Sequence, residues 1–366
     1  MIVALLFTLL GLVVGLGLYL ALINRTLSYM RHSASKPLVS LGLVIILLGG
    51  FACLGYAGGD AGRWLIGLTF TVLIIGEMYL FWERHRLIDA PPVASLGPKS
   101  SVFRPVTTTD LVLLHYIVPL SPATDPGNPY SQNRQSSDRR LRVVHVSDLH
   151  VNDRLGFTYY QGVMDRVNQA EPDLLFITGD FITDKASAQH LPGLLRGLSS
   201  RYGIFAILGN HDYWANADDV TQAVCGAGID VIGNGYRRLS LDGGINLTIL
   251  GCEEPWSPDR WSPPMIGNRD LALALSHSAD QVYRLSQAGA HAVFSGHYHG
   301  GQFQLPFIGP LLVPSRYGRR FYHGHYRVGK THLFVSAGAG ASNPPLRLYC
   351  PPDLIVVDFC LDQEIK

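Results

Sequence analysis

Three long apolar stretches crowded into the first 82 residues constrain this chain more than any other feature. Ile2–Ile23 and Leu38–Gly59 contain no charged residue, and Trp64–Trp82 contains only Glu77. A helix needs about 20 apolar residues to cross the hydrocarbon layer, so the pattern predicts three spanning helices. A cleaved signal peptide fits poorly. Only Met1 precedes Ile2, leaving no positive n-region, and the two later stretches would retain the protein in the membrane anyway. Arg25, Arg31 and Lys36 lie between the first two stretches, and Arg84 and Arg86 follow the third. The second loop offers only Arg63 against Asp60. Positive loops favour the cytoplasm, which predicts a multi-pass inner-membrane protein with its N-terminus outside and its C-terminal part cytoplasmic. Trp64 and Trp82 bracket the third stretch as interfacial aromatics do, and Glu77, near its inner end, is expected to snorkel towards the headgroups.

Residues 1–89 therefore read as the anchor, 90–110 as a linker and 111–366 as the remaining domain. Ala90–Pro105 is rich in Pro, Ser and Gly. Leu111–Leu120 has the composition of a strand, and Ser121–Arg140 that of a polar loop. The formal net charge is +1 with no basic or acidic run, which gives an electrostatic nucleic-acid partner no support. Nothing marks a protein partner. Five cysteines at irregular spacing, without a CxxC pair, do not make a disulfide framework and fit a reducing compartment.

From Leu141 a regular rhythm begins. Leu141–Val146, Asp173–Thr178, Gly203–Leu208 and Ala292–Ser295 read as strands, while Tyr160–Ala170, Leu191–Leu198 and Val220–Cys225 have helical spacing. Alternating strands and helices predict an α/β fold. The strands run into Asp148-Leu149-His150, Gly179-Asp180, Gly209-Asn210-His211-Asp212 and Gly296-His297-Tyr298-His299, and Ser276-His277 supplies a fifth fragment. Any one of these is most simply a turn. Together they collect Asp, Asn and His where open α/β sheets build their sites, at the carboxyl ends of strands. That donor set, without thiolate, suits two divalent ions: Mn²⁺ as the expected metal, with Fe²⁺, Zn²⁺ or Mg²⁺ as alternatives. Two ions about 3.5–4 Å apart can clamp both the attacking and the leaving oxygen of a phosphoryl group. Two carboxylates against two dications leave the site positive, as a phosphate anion requires.

These fragments resemble the ordered signature of the calcineurin-like metallophosphoesterase superfamily, over roughly Leu141 to Phe359. The resemblance implies a two-sheet αββα sandwich. It implies one ion on Asp148, His150 and His299, a second on Asn210, His277 and His297, and Asp180 bridging them. It further implies His211 as the group facing the leaving oxygen, with Asp212 orienting its imidazole. The tail (Gly300-Gly301-Gln302, Leu305-Pro306, Tyr317-Gly318, Ser336 to Gly340, Pro345-Leu346-Arg347, Pro351-Pro352-Asp353) is similar to bacterial membrane-associated phosphoesterases. That group includes the chlamydial-type UDP-2,3-diacylglucosamine diphosphatase. Tyr298 stands where Thr or Ser is usual, and Asp353 where Glu is usual. The expected function is hydrolysis of a phosphodiester or diphosphate bond, on a phosphorylated small molecule or a lipid-linked substrate among membrane lipids. The alternatives are a general phosphodiesterase on soluble nucleotides and a catalytically silent scaffold. Phe303–Phe321 reads either as a lid whose Arg316, Arg319 and Arg320 hold phosphate, or as a core strand with a solvated basic loop. Glu253 and Glu254 read as loop charges, with the active-site rim as the alternative.

Overall fold

The structure, a computed structural model, describes residues 1–25, 35–98, 103–120, 140–267 and 270–361. Arg31, the Lys36 side chain and nearly all of the polar loop expected at 121–140 lie outside these residues. The chain forms two compact units, one of residues 1–87 with 311–321, the other of residues 88–310 with 322–366.

The first unit holds three helices long and apolar enough to cross a membrane: Ile2–Arg25, Leu38–Ala57 and Gly59–Leu87. Their large side chains point outward, with Leu5, Ile46, Trp64 and Ile75 all exposed, as helices able to span a membrane would present them. Between the helices, glycine does the packing. A Cβ on Gly11 would fall 2.2 Å from the Phe51 carbonyl oxygen, and one on Gly55 would fall 2.3 Å from that of Phe7. Gly11 and Gly15 form a GxxxG pair, the spacing that lets two backbones approach closely. Segment 311–321 belongs to this unit. Asn24 donates to the Leu311 carbonyl (3.0 Å) and accepts from the Val313 amide (2.9 Å). Arg319 pairs with Glu77 and Arg320 with Glu83. Both arginines are thus tied to carboxylates of the third helix, a pairing that neither reading of the segment anticipated, and Glu77, half-exposed, is an ion-pair partner.

The second unit is a sandwich of two mixed sheets. Its strands are β1 (Ala94–Leu96), β2 (Val112–Leu120), β3 (Arg140–Val146), β4 (Leu174–Ile177), β5 (Ile204–Ala206), β6 (Asp230–Val231), β7 (Gly235–Leu241) and β8 (Ile245–Cys252). There follow β9 (Leu271–Ser276), β10 (Ala292–Ser295), β11 (Gln304–Leu305), β12 (Gly309–Pro310), β13 (Gly324–Val328), β14 (Thr331–Val335) and β15 (Asp353–Leu361). One sheet runs β1-β2-β15-β3-β4-β5-β6 and the other β13-β14-β10-β9-β8-β7, with β11 and β12 a separate hairpin. β1 lies within the stretch read as a linker and pairs with β2, Ala94 opposite His115.

The period-two alternation of the strands builds two cores. Val143, Leu174 and Phe176 turn towards the second sheet and meet Leu273, Phe294 and Phe334. Val144, Leu175 and Ile177 turn the other way, onto Tyr160, Val163 and Val167 of helix Phe157–Gln169. Each such side chain contributes about 1.5–3 kcal/mol on burial. β3, β4 and β5 run parallel, as do β9 and β10, so their carboxyl ends are held at common edges and the side chains beyond them are brought together.

Candidate metal centre

Beyond its last paired residue each of these strands turns abruptly. Asp148, His150, Asp180, His297 and His299 all adopt positive φ, between 45° and 71°. They are five of the nine non-glycine residues that do so among the described residues. The left-handed region costs an L-residue about 1–3 kcal/mol and survives where surrounding structure imposes it, commonly at functional sites. Here the imposing structure is backbone at very short range. A Cβ on Gly209 would fall 2.2 Å from Asp180 Oδ1, and one on Gly296 2.1 Å from Asp148 Oδ2. Only glycine allows the loops to close this tightly.

All seven expected ligands are buried. Asp148, His150, Asp180 and His299 form one group whose ligand atoms lie within 4.8 Å of one another; Asp180, His277 and His297 form another. Asp180 belongs to both. Its Oδ1 accepts from the His211 amide at 2.8 Å. Its Oδ2 stands 3.4 Å from His150 Nε2 and 3.4 Å from His277 Nε2, so one oxygen faces both groups. Asn210 joins the second group, its Oδ1 3.1 Å from His277 Nε2.

The donor chemistry fits cations. His277 Nδ1 lies 2.6 Å from the Thr178 carbonyl, which only accepts, so Nδ1 carries the proton. The Nε2 lone pair then faces the oxygens of Asp180 and Asn210, an arrangement that a cation or an added proton must relieve. Without metal the proton takes that place: burial opposes it, but Asp180, Asp148 and the Thr178 carbonyl together outweigh burial and push His277 up to about 9. Burial would likewise raise the carboxyl of Asp180, yet the imidazoles of His277, His211 and His150 hold it well below the usual range. Asp148, more affected by burial and then by Asp180, is raised. His150 Nε2 and His299 Nε2 approach to 3.0 Å, and burial followed by His150 drives His299 well below its ordinary value. A neutral, unprotonated imidazole is the form that binds metal.

The ligands are themselves held. The His150 carbonyl accepts from Tyr160 Oη (2.9 Å) and Asn152 Nδ2 (2.6 Å). Both Asp148 oxygens accept from the His297 amide, at 3.1 and 2.9 Å. Asp212, expected to orient the His211 imidazole, is given three backbone amides: Gly209 (2.9 Å), Phe181 (2.9 Å) and Ile182 (3.3 Å). Through them it ties the turn carrying Asn210 and His211 to the loop carrying Asp180. The His211 ring lies edge-on to His150, centroids 4.6 Å apart, and beside Trp214 at 4.8 Å.

Three supports escaped the sequence reading. Arg347 is completely buried and donates from Nη1 to the His299 carbonyl (3.2 Å) and from Nε to that of Gly340 (2.8 Å). Glu253 is buried, not a loop charge; it accepts from the Leu208 amide (2.6 Å) and Tyr213 Oη (2.5 Å), and burial raises its carboxyl. Trp256 packs on His277 and His297, centroids 5.1 and 4.8 Å apart. Glu253 follows β8 directly, so the strand-end rule that pointed to the candidate ligands would have pointed to it as well, had β8 been recognised.

A family model described as calcineurin-like phosphoesterase matches residues 141–301. The metallophosphoesterase YkuE of Bacillus subtilis is 33% identical over 224 residues, covering 59% of this chain and 78% of that protein. Phosphodiesterase YaeI of Escherichia coli is 23% identical over 60% of this chain and 82% of its own length. A transmembrane protein with metallophosphoesterase domain from Danio rerio is 24% identical over 87% of this chain and 80% of its own.

Proposed function

We propose, from the premise that this chain belongs to the calcineurin-like phosphoesterase family and is a metal-dependent phosphoesterase, that it cleaves phosphodiester or diphosphate bonds in a substrate held at the cytoplasmic face of the inner membrane. Asp148, His150 and His299 hold one ion and Asn210, His277 and His297 the other, with Asp180 shared; Mn²⁺ is the preferred metal. The observation that carries this reading is the single Asp180 oxygen standing 3.4 Å from an imidazole of each group. Bound ions supply Lewis-acid charge for the phosphoryl oxygens. The protein supplies the rest. Its loops pre-form the ligand geometry, so little reorganisation accompanies reaction. His211, fixed through its own amide to Asp180, presents an imidazole that donates a proton to the departing oxygen.

A lipid-linked diphosphate of the UDP-2,3-diacylglucosamine type is the favoured substrate, because three apolar helices at the N-terminus hold the enzyme where such a molecule must stay. The test uses the full chain in detergent with Mn²⁺. It should turn over a chromogenic phosphodiester, lose that activity on Asp180→Ala, and deplete UDP-diacylglucosamine from a lipid extract. Turnover of soluble nucleotide diesters alone would favour a general phosphodiesterase. Absence of turnover with any divalent ion would leave a scaffold. A diphosphate leaving group needs little protonation, so His211→Ala should slow a simple ester more than a diphosphate.

A further inference from the structure

A second cluster of metal-competent side chains lies in the catalytic unit apart from the ligands above. Asp89, His325 and His332 bring three ligand atoms together, with both imidazoles buried. His325 Nε2 is 3.0 Å from His332 Nδ1, and Asp89 Oδ2 lies 3.6 Å from the first and 3.5 Å from the second. The three come from adjacent extended segments. His325 and His332 sit diagonally on one face of the β13–β14 ladder, where His325 opposes Phe334 and Arg327 opposes His332. Residues 88–89 run beside edge strand β13: Ile88 bridges to Tyr326 and the Asp89 amide donates to the His325 carbonyl at 3.0 Å.

We propose that Asp89, His325 and His332 form a structural Zn²⁺ site that staples the start of the catalytic unit to the edge of its second sheet. Ligands on a tetrahedral Zn²⁺, bonded at about 2.0–2.1 Å, stand roughly 3.4 Å apart, and the three separations here bracket that value. Tautomer chemistry agrees. His325 Nδ1 lies 3.4 Å from the Ala90 carbonyl, which can only accept, so the proton sits on Nδ1 and the Nε2 lone pair points at the other two ligands. A histidine that binds metal through one nitrogen characteristically donates its other N–H to a carbonyl in this manner. The part-exposed Asp89 leaves a path for the ion and for a water as fourth ligand. An edge strand needs covering, and an ion here would hold residues 88–89 in place on β13.

Arg327 is the competitor. Its Nη1 lies 3.1 Å from His332 Nδ1 and closer still to Nε2. Coordination through Nδ1 places the His332 proton on Nε2 and expels the guanidinium, which is only half-buried and can swing outward.

The experiment equilibrates the full chain in detergent with micromolar free Zn²⁺ and measures bound zinc by elemental analysis. Reading differences between variants separates this site from the catalytic ions. Asp89→Asn and His332→Gln are each expected to bind one zinc fewer than wild type and to lose part of the zinc-induced rise in Tm, while Mn²⁺-dependent turnover persists. Arg327→Ala is expected to tighten zinc at least about tenfold, the reverse of what an all-protein network anchored by Arg327 would give. Equal zinc content in wild type and both ligand variants would overturn the proposal. A measurement independent of variant folding is anomalous diffraction at the zinc edge from wild-type crystals. A peak among the three side chains supports the site, and its absence at saturating zinc refutes it.

Discussion

The membrane unit makes its closest approaches with glycine, and the metal centre makes them with charge. Gly11, Gly15 and Gly55 bring carbonyls of neighbouring helices within a space that a methyl group would overfill. Around the metal centre, Gly209 and Gly296 make room in the same way, but what enters the space is the carboxylate of Asp180 or Asp148. Lipid offers helices no hydrophobic reason to associate, so van der Waals contact over small residues must hold them. The strands of the second unit are held by apolar cores on both faces, which leaves the loops free to concentrate buried polar groups that would otherwise be costly. The anchor should therefore be sensitive to added volume, and the centre to removed charge.

Asp180→Asn preserves shape and removes the shared charge. It should lower kcat by about 10³-fold or more, read on a chromogenic diester, with the circular dichroism unchanged. A loss below tenfold would break the contrast. Arg347→Met removes the buried guanidinium that holds the His299 carbonyl, and should cost about 10–100-fold in metal affinity, measured by Mn²⁺ titration. Lysine should not rescue it, since it lacks the fork that reaches several carbonyls at once. Gly55→Leu tests the other side. It should destabilise the helix packing by about 1–3 kcal/mol, read as detergent-dependent unfolding, with turnover of a soluble diester retained.

Charge away from the centre sharpens the point. Asp358 accepts from Arg142 Nε (2.7 Å), Arg142 Nη2 (2.9 Å) and His115 (2.9 Å). Burial opposes its ionisation, but Arg142 and His115 hold its carboxyl below the ordinary range. A depressed folded pKa contributes stability that is complete above the unfolded value, near pH 4, and is lost as pH falls through the folded value. Since Arg142 is about one-third exposed, solvent screening discounts the pair, and Asp358→Asn should cost about 1–2 kcal/mol at neutral pH. That difference should shrink on acidification in a denaturant series. Glu77→Gln, which breaks the pair with Arg319 inside the membrane unit, should have the smallest effect, under about 1 kcal/mol; a large one would show that charge matters there too.

What was legible in the sequence follows the same division. Long apolar runs announced the three helices, the first two within about two residues and the third about five short at each end, because the length and composition needed to cross hydrocarbon are written in the sequence. The candidate site was legible because Asp148, Asp180, Asn210, His297 and their neighbours follow short apolar strands in chain order. The second sheet was legible only in β10. Its strand β9, Leu271 to Ser276, is apolar up to its final serine and buried on both faces, so it carries no alternation to mark it. Arg347 acts through backbone carbonyls supplied by distant loops, which no local pattern encodes, and Glu253 was passed over because the strand before it went unrecognised. The ion pairs of Arg319 and Arg320 were not legible because their partners, Glu77 and Glu83, lie more than 200 residues earlier in the chain.

The shared position of Asp180 is tested most directly by electron paramagnetic resonance of the full chain loaded with two equivalents of Mn²⁺. The account predicts an exchange-coupled pair whose coupling weakens or disappears in Asp180→Asn. Two uncoupled ions in the wild-type protein would contradict it.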